Sequence, residues 1–161
     1  FNIPVLALVN VKGYKQSKCT ERRIAKAAGR LTYAFANADV PKVTVVIGEA
    51  YGSAYVTMNS KSIGADIVYA WPDAKIGMMD AAAAVKIMYA EEISASDKAA
   101  ALISEKAAEY EALQSSAAAA AGRGYVDDII KADETRQRVI AAFEMLFTKR
   151  EGRPSRKHGT V

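Results

Sequence analysis

Val43-Thr-Val-Val-Ile-Gly-Glu-Ala-Tyr-Gly-Ser-Ala-Tyr55 is the stretch on which the fold turns. Val43 to Ile47 is a β-branched run that reads as a buried strand. Gly48 to Tyr51 carries the chain onward, Gly52 supplies a turn, and a short helix is predicted near Ser53 to Ser60. Upstream, Pro41 stops the preceding element. That element is an amphipathic helix: Ile24, Ala27, Ala28, Leu31, Ala34, Phe35 and Ala38 recur at helical spacing, with Thr20 as its expected N-cap and Glu21 in the first turn. Before it lie a polar loop, Asn10 to Cys19, built around Gly13, and a continuous apolar run, Ile3 to Val9, read as a strand covered on both faces, in which Pro4 is tolerated only near the start.

Downstream, Ala65 to Trp71 reads as a strand, Pro72-Asp73 as a turn and Lys75 to Met79 as a short strand. Asp80 is expected to cap a helix over Ala81 to Ala90, and a further helix runs from about Ser96 to Ser116. The alanine run Ala117 to Ala121 and Gly122-Arg-Gly124 follow. The last helix is expected from an Asp133 cap to Thr148, burying Val139, Ile140, Phe143, Leu146 and Phe147. Strands alternating with helices predict a single α/β domain with a largely parallel sheet. Alanine supplies 32 of 161 residues, and such small side chains let helices approach a sheet closely. High helix propensity alone also accounts for that enrichment.

The net charge of +4 is a property of one end. Lys149, Arg150, Arg153, Arg156 and Lys157 cluster there against the single acid Glu151, and without that stretch acids and bases balance. A nucleic-acid-binding domain spreads its basic charge over a face, so that class drops to a poor second. Cys19 is the only cysteine, which rules out an internal disulfide and suits a reducing cytoplasm. Apolar stretches such as Ile3 to Val9 fall far short of a membrane span. The chain opens on Phe1 without an initiator Met, and is expected to be a processed chain or part of a longer protein.

Few residues are left for chemistry. His158 is the only histidine and stands in the basic tail, which argues against Ser-His-Asp or Cys-His catalysis. One Cys and one His cannot build the usual zinc shells, so no metal is expected. Gly52-Ser53-Ala54-Tyr55 remains. Small residues between a strand and a helix let a ligand approach the backbone, where the first helical N–H groups lack partners. Two such amides aimed at one point form an oxyanion hole. The plainer alternative, that glycine and serine merely make the turn, is favoured on local pattern alone.

At this length of match the chain is recognisable. Val40 to Tyr55, Met58-Asn-Ser-Lys61, Gly64-Ala-Asp66 and Tyr69-Ala-Trp-Pro72 resemble the carboxyltransferase subunits of biotin-dependent acyl-CoA carboxylases, transcarboxylases and sodium-pumping decarboxylases. Phe1-Asn-Ile-Pro4, Tyr33-Ala-Phe-Ala36, Arg123-Gly-Tyr-Val-Asp-Asp-Ile-Ile130 with Glu134-Thr-Arg136, and Lys157-His-Gly159 match as well. The resemblance is weakest over 12–19 and 91–121. One departure is Gly52-Ser-Ala-Tyr55 where many relatives carry Gly-Gly-Ala-Tyr. A second is Val11-Lys-Gly-Tyr-Lys-Gln-Ser17 where many carry Val-Pro-Gly-Phe-Leu-Pro-Gly, in a loop beside the site.

The resemblance implies a crotonase-like fold of repeated ββα spiral units. It makes residues 1–161 the C-terminal half of a subunit roughly three times this length, with 149–161 as its basic tail. In such subunits this half faces biotin and the other half binds acyl-CoA. Sites form between halves of different subunits, so the fragment alone is expected to be inactive. By resemblance, the backbone amides of Ser53 and Ala54 stabilise the ureido oxygen of biotin, and Gly52 and Tyr51 contact the cofactor. Val56 matches a position near the acyl group of a propionyl- or methylmalonyl-CoA-like substrate. No Met-Lys-Met biotin attachment sequence occurs, so biotin is expected on a separate carrier. Implied partners are a biotin carboxyl carrier protein, the chain's own N-terminal carboxyltransferase half, further copies in a trimer- or hexamer-like homo-oligomer, and a membrane pump subunit. The implied location is cytoplasmic, with membrane association only through such a complex.

Two other classes stay in view. One is an assembly domain of the same complex without activity. The other is a crotonase-type hydratase or isomerase, which needs a carboxylate for acid–base work. Glu49 is nearby in sequence but reads better as a solvated loop acid. Met78, Met79 and Trp71 are expected to pack in the core or along a subunit interface, and Glu105, Lys106, Glu109 and Glu111 to form a solvated helix face.

Overall fold

The computed structural model describes residues 1–152. Its sheet is wholly parallel and built on β2 (Lys42–Tyr51), with β1 (Val5–Val11) along one edge, where it is not covered on both faces as expected: Val9 is buried but Leu6 and Leu8 are exposed. The other edge is shared: β3 (Ile67–Ala70) pairs with Val43 to Val46, and β4 (Lys75–Gly77) with Glu49 to Tyr51. A two-residue strand, β5 (Asp128–Ile129), completes the order beyond β3.

The β-branched run behaves as a two-faced strand. Val43 and Val45 point into a cluster with Val139 and Ala142 of the last helix, α7 (Thr135–Met145). Val46 packs on the other face with Val68, Ile76 and Ala117 and Ala120 of α6 (Ala117–Gly122). Thr44 shares that second face with its hydroxyl satisfied, donating to Asn59 O at 2.7 Å and accepting from Asn59 Nδ2 at 2.9 Å, while Asn59 Oδ1 is left buried without a partner. The small alanines of α6 are what let it sit flat on the sheet.

β2 does not run straight. Its register against β1 shifts between Val9↔Val46 and Val11↔Ala50, which places a bulge at Gly48. The side chain of Asn10 fills the irregularity: its Oδ1 accepts from Glu49 N at 3.0 Å. A Cβ on Gly48 would lie 2.7 Å from that same oxygen, so a side chain there would displace the Asn10 amide from its bond to Glu49. The bulge redirects β2 from β3 towards β4 and aims Tyr51 at the turn that follows.

Several expected boundaries move. The first helix, α1 (Lys18–Asn37), is capped by Ser17, whose Oγ accepts from Thr20 N at 3.1 Å; Thr20 is already inside the helix. Its apolar stripe is only half-buried, with Ala27, Leu31 and Ala34 left exposed. α2 (Gly52–Thr57) is shorter than expected and is followed by a single 3₁₀ turn, Lys61–Ile63. Asp80 caps α3 (Ala81–Met88) through Ala82 N and Ala83 N, as expected, and α4 (Ala90–Ala95) follows. The long helix expected to Ser116 is instead α5 (Ala99–Tyr110) and a π-helical turn, Glu111–Ser115, after which Ser116 caps α6. Ser116 takes an extended backbone and its Oγ accepts from Ala119 N, which ends one helix and begins another.

The last helix starts after Glu134, not from an Asp133 cap. A turn over 131–134 and the Thr135 hydroxyl, which donates to Lys131 O, do that work. Val139 is buried as expected, but Ile140 is 48% and Phe147 81% exposed. Trp71 is half-buried against α7, with its indole N–H donating to Thr135 Oγ1 at 2.9 Å. The expected solvated face of α5 is tied down at its end, because Glu111 pairs with Lys75 at 2.6 Å.

The basic end begins with a buried anchor. Lys149 Nζ lies 2.8 Å from Asp66 Oδ1 and 2.8 Å from Glu151 Oε1, with its side chain 8% exposed. Arg153, Arg156, Lys157 and His158 of the expected tail lie outside the described residues.

Candidate active site

Three segments that are distant in sequence meet at the end of β2. Tyr51, Gly52, Ser53 and Ala54 form the turn into α2; Lys12, Gly13 and Tyr14 come from the β1–α1 loop; Met78, Met79 and Asp80 follow β4. Together with Glu49 they line an open cleft of about 480 Å³. Gly52 adopts φ +58, a left-handed conformation that a residue with a Cβ resists. It thereby releases β2 into α2, so the amides of Ser53 and Ala54 fall in the first turn, without intrahelical acceptors.

Of the expected site residues, Tyr51, Gly52, Ser53 and Ala54 all line this cleft. Val56 does not. It faces a neighbouring cavity of about 800 Å³ that shares only Gly52, Ser53 and Met78 with the first and is lined mainly by apolar groups such as Tyr55 and Ile76. The Gly52–Ser53 turn and Met78 are therefore the wall between two cavities. Met78, 78% exposed, belongs to this rim and not to the core.

The charges around the cleft are mutually satisfied. Glu49 is not a solvated loop acid: it stands in β2, and its Oε2 meets Lys12 Nζ at 3.0 Å. Asp80 is occupied by capping α3. Burial, then the nearby Glu49 charge, raise the Tyr51 hydroxyl above its usual range, partly offset by Lys75, so Tyr51 presents a neutral donor. Burial pushes Tyr55 up to about 12, and its Oη has no hydrogen-bond partner. Cys19 is exposed and free. Among the described residues no cluster of three or more His, Cys, Asp or Glu side chains is placed to hold a metal, and no helix is long and apolar enough to cross a membrane.

Sequence reasoning missed Tyr14. It flagged the 11–17 loop as lying near the site, yet only the folded chain brings the Tyr14 hydroxyl to 3.3 Å from Ser53 O and 3.0 Å from Thr57 Oγ1. An aromatic residue beside Gly13 in a polar loop was the available signal.

The fold and this turn define a crotonase-like α/β domain with a backbone-lined cleft. The chain belongs to the carboxyl transferase domain family, whose model matches residues 1–161. A putative propionyl-CoA carboxylase β chain of Bacillus subtilis (strain 168) is 46% identical over 100% of this chain and 32% of its own length. The methylmalonyl-CoA decarboxylase subunit α of Propionigenium modestum is 43% identical over 100% of this chain and 31% of its own. Among solved structures, the transcarboxylase 12S hexamer with methylmalonyl-coenzyme A and methylmalonic acid bound superposes with a TM-score of 0.93 at 42% identity, covering 99% of this chain and 31% of that one. The chain thus spans about a third of the length of these relatives.

Proposed function

We propose that this chain is the biotin-facing, C-terminal half of an acyl-CoA carboxyltransferase, moving a carboxyl group between carboxybiotin and a propionyl- or methylmalonyl-CoA-like thioester. The observation that carries the reading is the Gly52 turn. Its left-handed φ, with Met78 O packed against the bare Cα, turns the chain so that the Ser53 and Ala54 amides fall in the first helical turn at the wall of the cleft.

Biotin supplies a ureido group that carries and releases the carboxyl as CO2. The chain's own residues do the rest. Ser53 and Ala54 N–H groups donate to an oxygen that gains negative charge, and fixed donors are worth most there because they need no reorganisation. Tyr51 offers a neutral wall at the end of β2. Val56 and Ile76 give the second cavity an apolar lining suited to a short acyl group, with the Gly52–Ser53 turn between the two. No side-chain base is required, which is consistent with the occupied state of Glu49 and Asp80.

The partners follow from the same reading: a biotin carboxyl carrier protein, the N-terminal carboxyltransferase half, and further copies of the subunit. The solved 12S relative is a hexamer, which favours an oligomer. The likeness to a methylmalonyl-CoA decarboxylase subunit makes a membrane pump subunit a candidate partner. A cytoplasmic location completes the proposal, in keeping with the free, exposed Cys19.

The test is carboxyl transfer by the full-length subunit with biotinylated carrier and a panel of short acyl-CoAs. Transfer that depends on both biotin and acyl-CoA supports the reading. Undetectable biotin binding with the N-terminal half present would sink it in favour of an assembly role.

A further inference from the structure

We propose that Tyr14 is a positioning residue that orients and polarises the Ser53–Ala54 peptide from behind. The inference rests on the carboxyltransferase reading and assigns a task to a side chain outside the amide pair.

A peptide unit is planar, so the carbonyl of Ser53 and the N–H of Ala54 are opposite ends of one rigid group. Whatever fixes Ser53 O therefore fixes the direction in which Ala54 N–H points. Tyr14 Oη lies 3.3 Å from Ser53 O and 3.0 Å from Thr57 Oγ1. Thr57 Oγ1 in turn donates to Ala54 O at 3.0 Å. The protons can be counted. The Thr57 proton goes to Ala54 O, which leaves Thr57 Oγ1 as an acceptor. The single Tyr14 proton is then shared between Thr57 Oγ1 and Ser53 O.

Two consecutive carbonyls, those of Ser53 and Ala54, are thus held by one hydroxyl relay that starts in the β1–α1 loop. A hydrogen bond accepted at a peptide oxygen also draws charge from its nitrogen, so the opposite N–H becomes a stronger donor. Tyr14 lines the same cleft and reaches the peptide across 39 residues of sequence, which couples the loop over 12–17 to the turn at Gly52. Phenylalanine, which stands at this position in the Val-Pro-Gly-Phe-Leu-Pro-Gly loop of many relatives, would keep the ring and lose the relay, so the relay is a feature of this chain and not a requirement of the family.

The experiment is Tyr14→Phe in the intact protein, with two readouts. In carboxyl transfer, kcat is expected to fall about tenfold, the equivalent of one net hydrogen bond, with KM for the biotinyl substrate unchanged. Fluorotyrosines at Tyr14, whose hydroxyls are stronger donors, are expected to raise kcat, a trend a purely structural role would not produce. Independently of activity, carbonyl-13C serine and 15N-alanine labelling narrows the amide signals to three Ser–Ala peptides, at 53–54, 94–95 and 116–117; the first is assigned by its loss in Ser53→Ala, and its amide nitrogen signal is expected to move upfield in Tyr14→Phe. An unmoved amide overturns the inference, as does a rise in KM with kcat intact. If the amide moves while the unmodified protein transfers no carboxyl, the peptide anchor stands and the carboxyltransferase reading falls.

Discussion

The carbonyl oxygen of Met78 stands 2.9 Å from the point that a Cβ on Gly52 would occupy. The segment just after β4 thus closes over the turn so tightly that only a bare Cα fits. Gly52 also holds φ +58, which costs an L-residue about 1–2 kcal/mol before any contact is considered. Because the opposing atom is backbone, it cannot swing aside. Gly52→Ala is expected to destabilise the chain by about 2–3 kcal/mol and to abolish ligand binding in the cleft. Gly29, in the middle of α1, is the contrast: nothing lies within 4 Å of its would-be Cβ. Gly29→Ala should stabilise by about 0.5–1 kcal/mol, and urea denaturation of both variants checks the pair.

Lys149 and Asp66 form the second test. With the lysine removed, the Asp66 carboxylate keeps, among the described residues, its bond from Lys42 N and loses its compensating charge. Lys149→Met is expected to cost about 1–3 kcal/mol, less than the loss of one partner of a fully buried pair because Asp66 and Glu151 keep some contact with solvent. Burial alone would lower the Lys149 pKa, but the bonds to Asp66 and Glu151 outweigh it and raise the group above its ordinary 10.5. A raised folded value means that the folded state holds its proton longer. The contribution is therefore full below pH 10.5 and fades as pH rises through the folded value. Denaturation of both proteins across pH 8 to 12 should show their difference shrinking only at the alkaline end.

The donors at the turn are backbone groups, which makes an asymmetric prediction. Ser53→Ala keeps both amides and is expected to change kcat by less than about threefold. Ala54→Pro deletes one donor and should lower kcat by about 100- to 1000-fold. Circular dichroism of the two variants establishes that both are folded, and steady-state carboxyl transfer reads the difference. Equal losses would mean that the serine hydroxyl, not the backbone, carries the effect.

Val56 lines the second cavity beside Tyr55 and Ile76. A carboxylate there must be desolvated whenever an acyl group fills the space. Val56→Asp is expected to lower kcat/KM for propionyl-CoA by about 10- to 100-fold, corresponding to about 1–3 kcal/mol of lost discrimination. A substrate series of two- to four-carbon acyl-CoAs measures it.

Local sequence carried the elements whose cause is local. The β-branched run from Val43 reads as a strand because those side chains favour a pleated, buried surface, and Asp80 reads as a cap because its carboxylate reaches the next two amides. The turn at Gly52 was legible for the same reason. Boundaries failed where a side chain chose between two local partners. Ser17 took the cap assigned to Thr20, and Ser116 broke a long helical pattern to start a new one. β5 was invisible, since two residues carry no periodicity, and its placement rests on Asp127 accepting from Val68 N and Lys61 Nζ.

The sequence by itself determined the α/β alternation, the strand-to-helix turn at Gly52, the shortage of usable acid–base side chains and the family. These depend on residues near one another along the chain, or on pattern matched over its whole length. Only the tertiary structure decided that β2 bulges around Asn10, that Met78 O presses on Gly52, that Val56 faces a different cavity from Ser53, and that Tyr14 holds the Ser53 carbonyl. Each of those depends on segments distant in sequence coming together, and that geometry is set by how strands and helices pack, which no local propensity encodes.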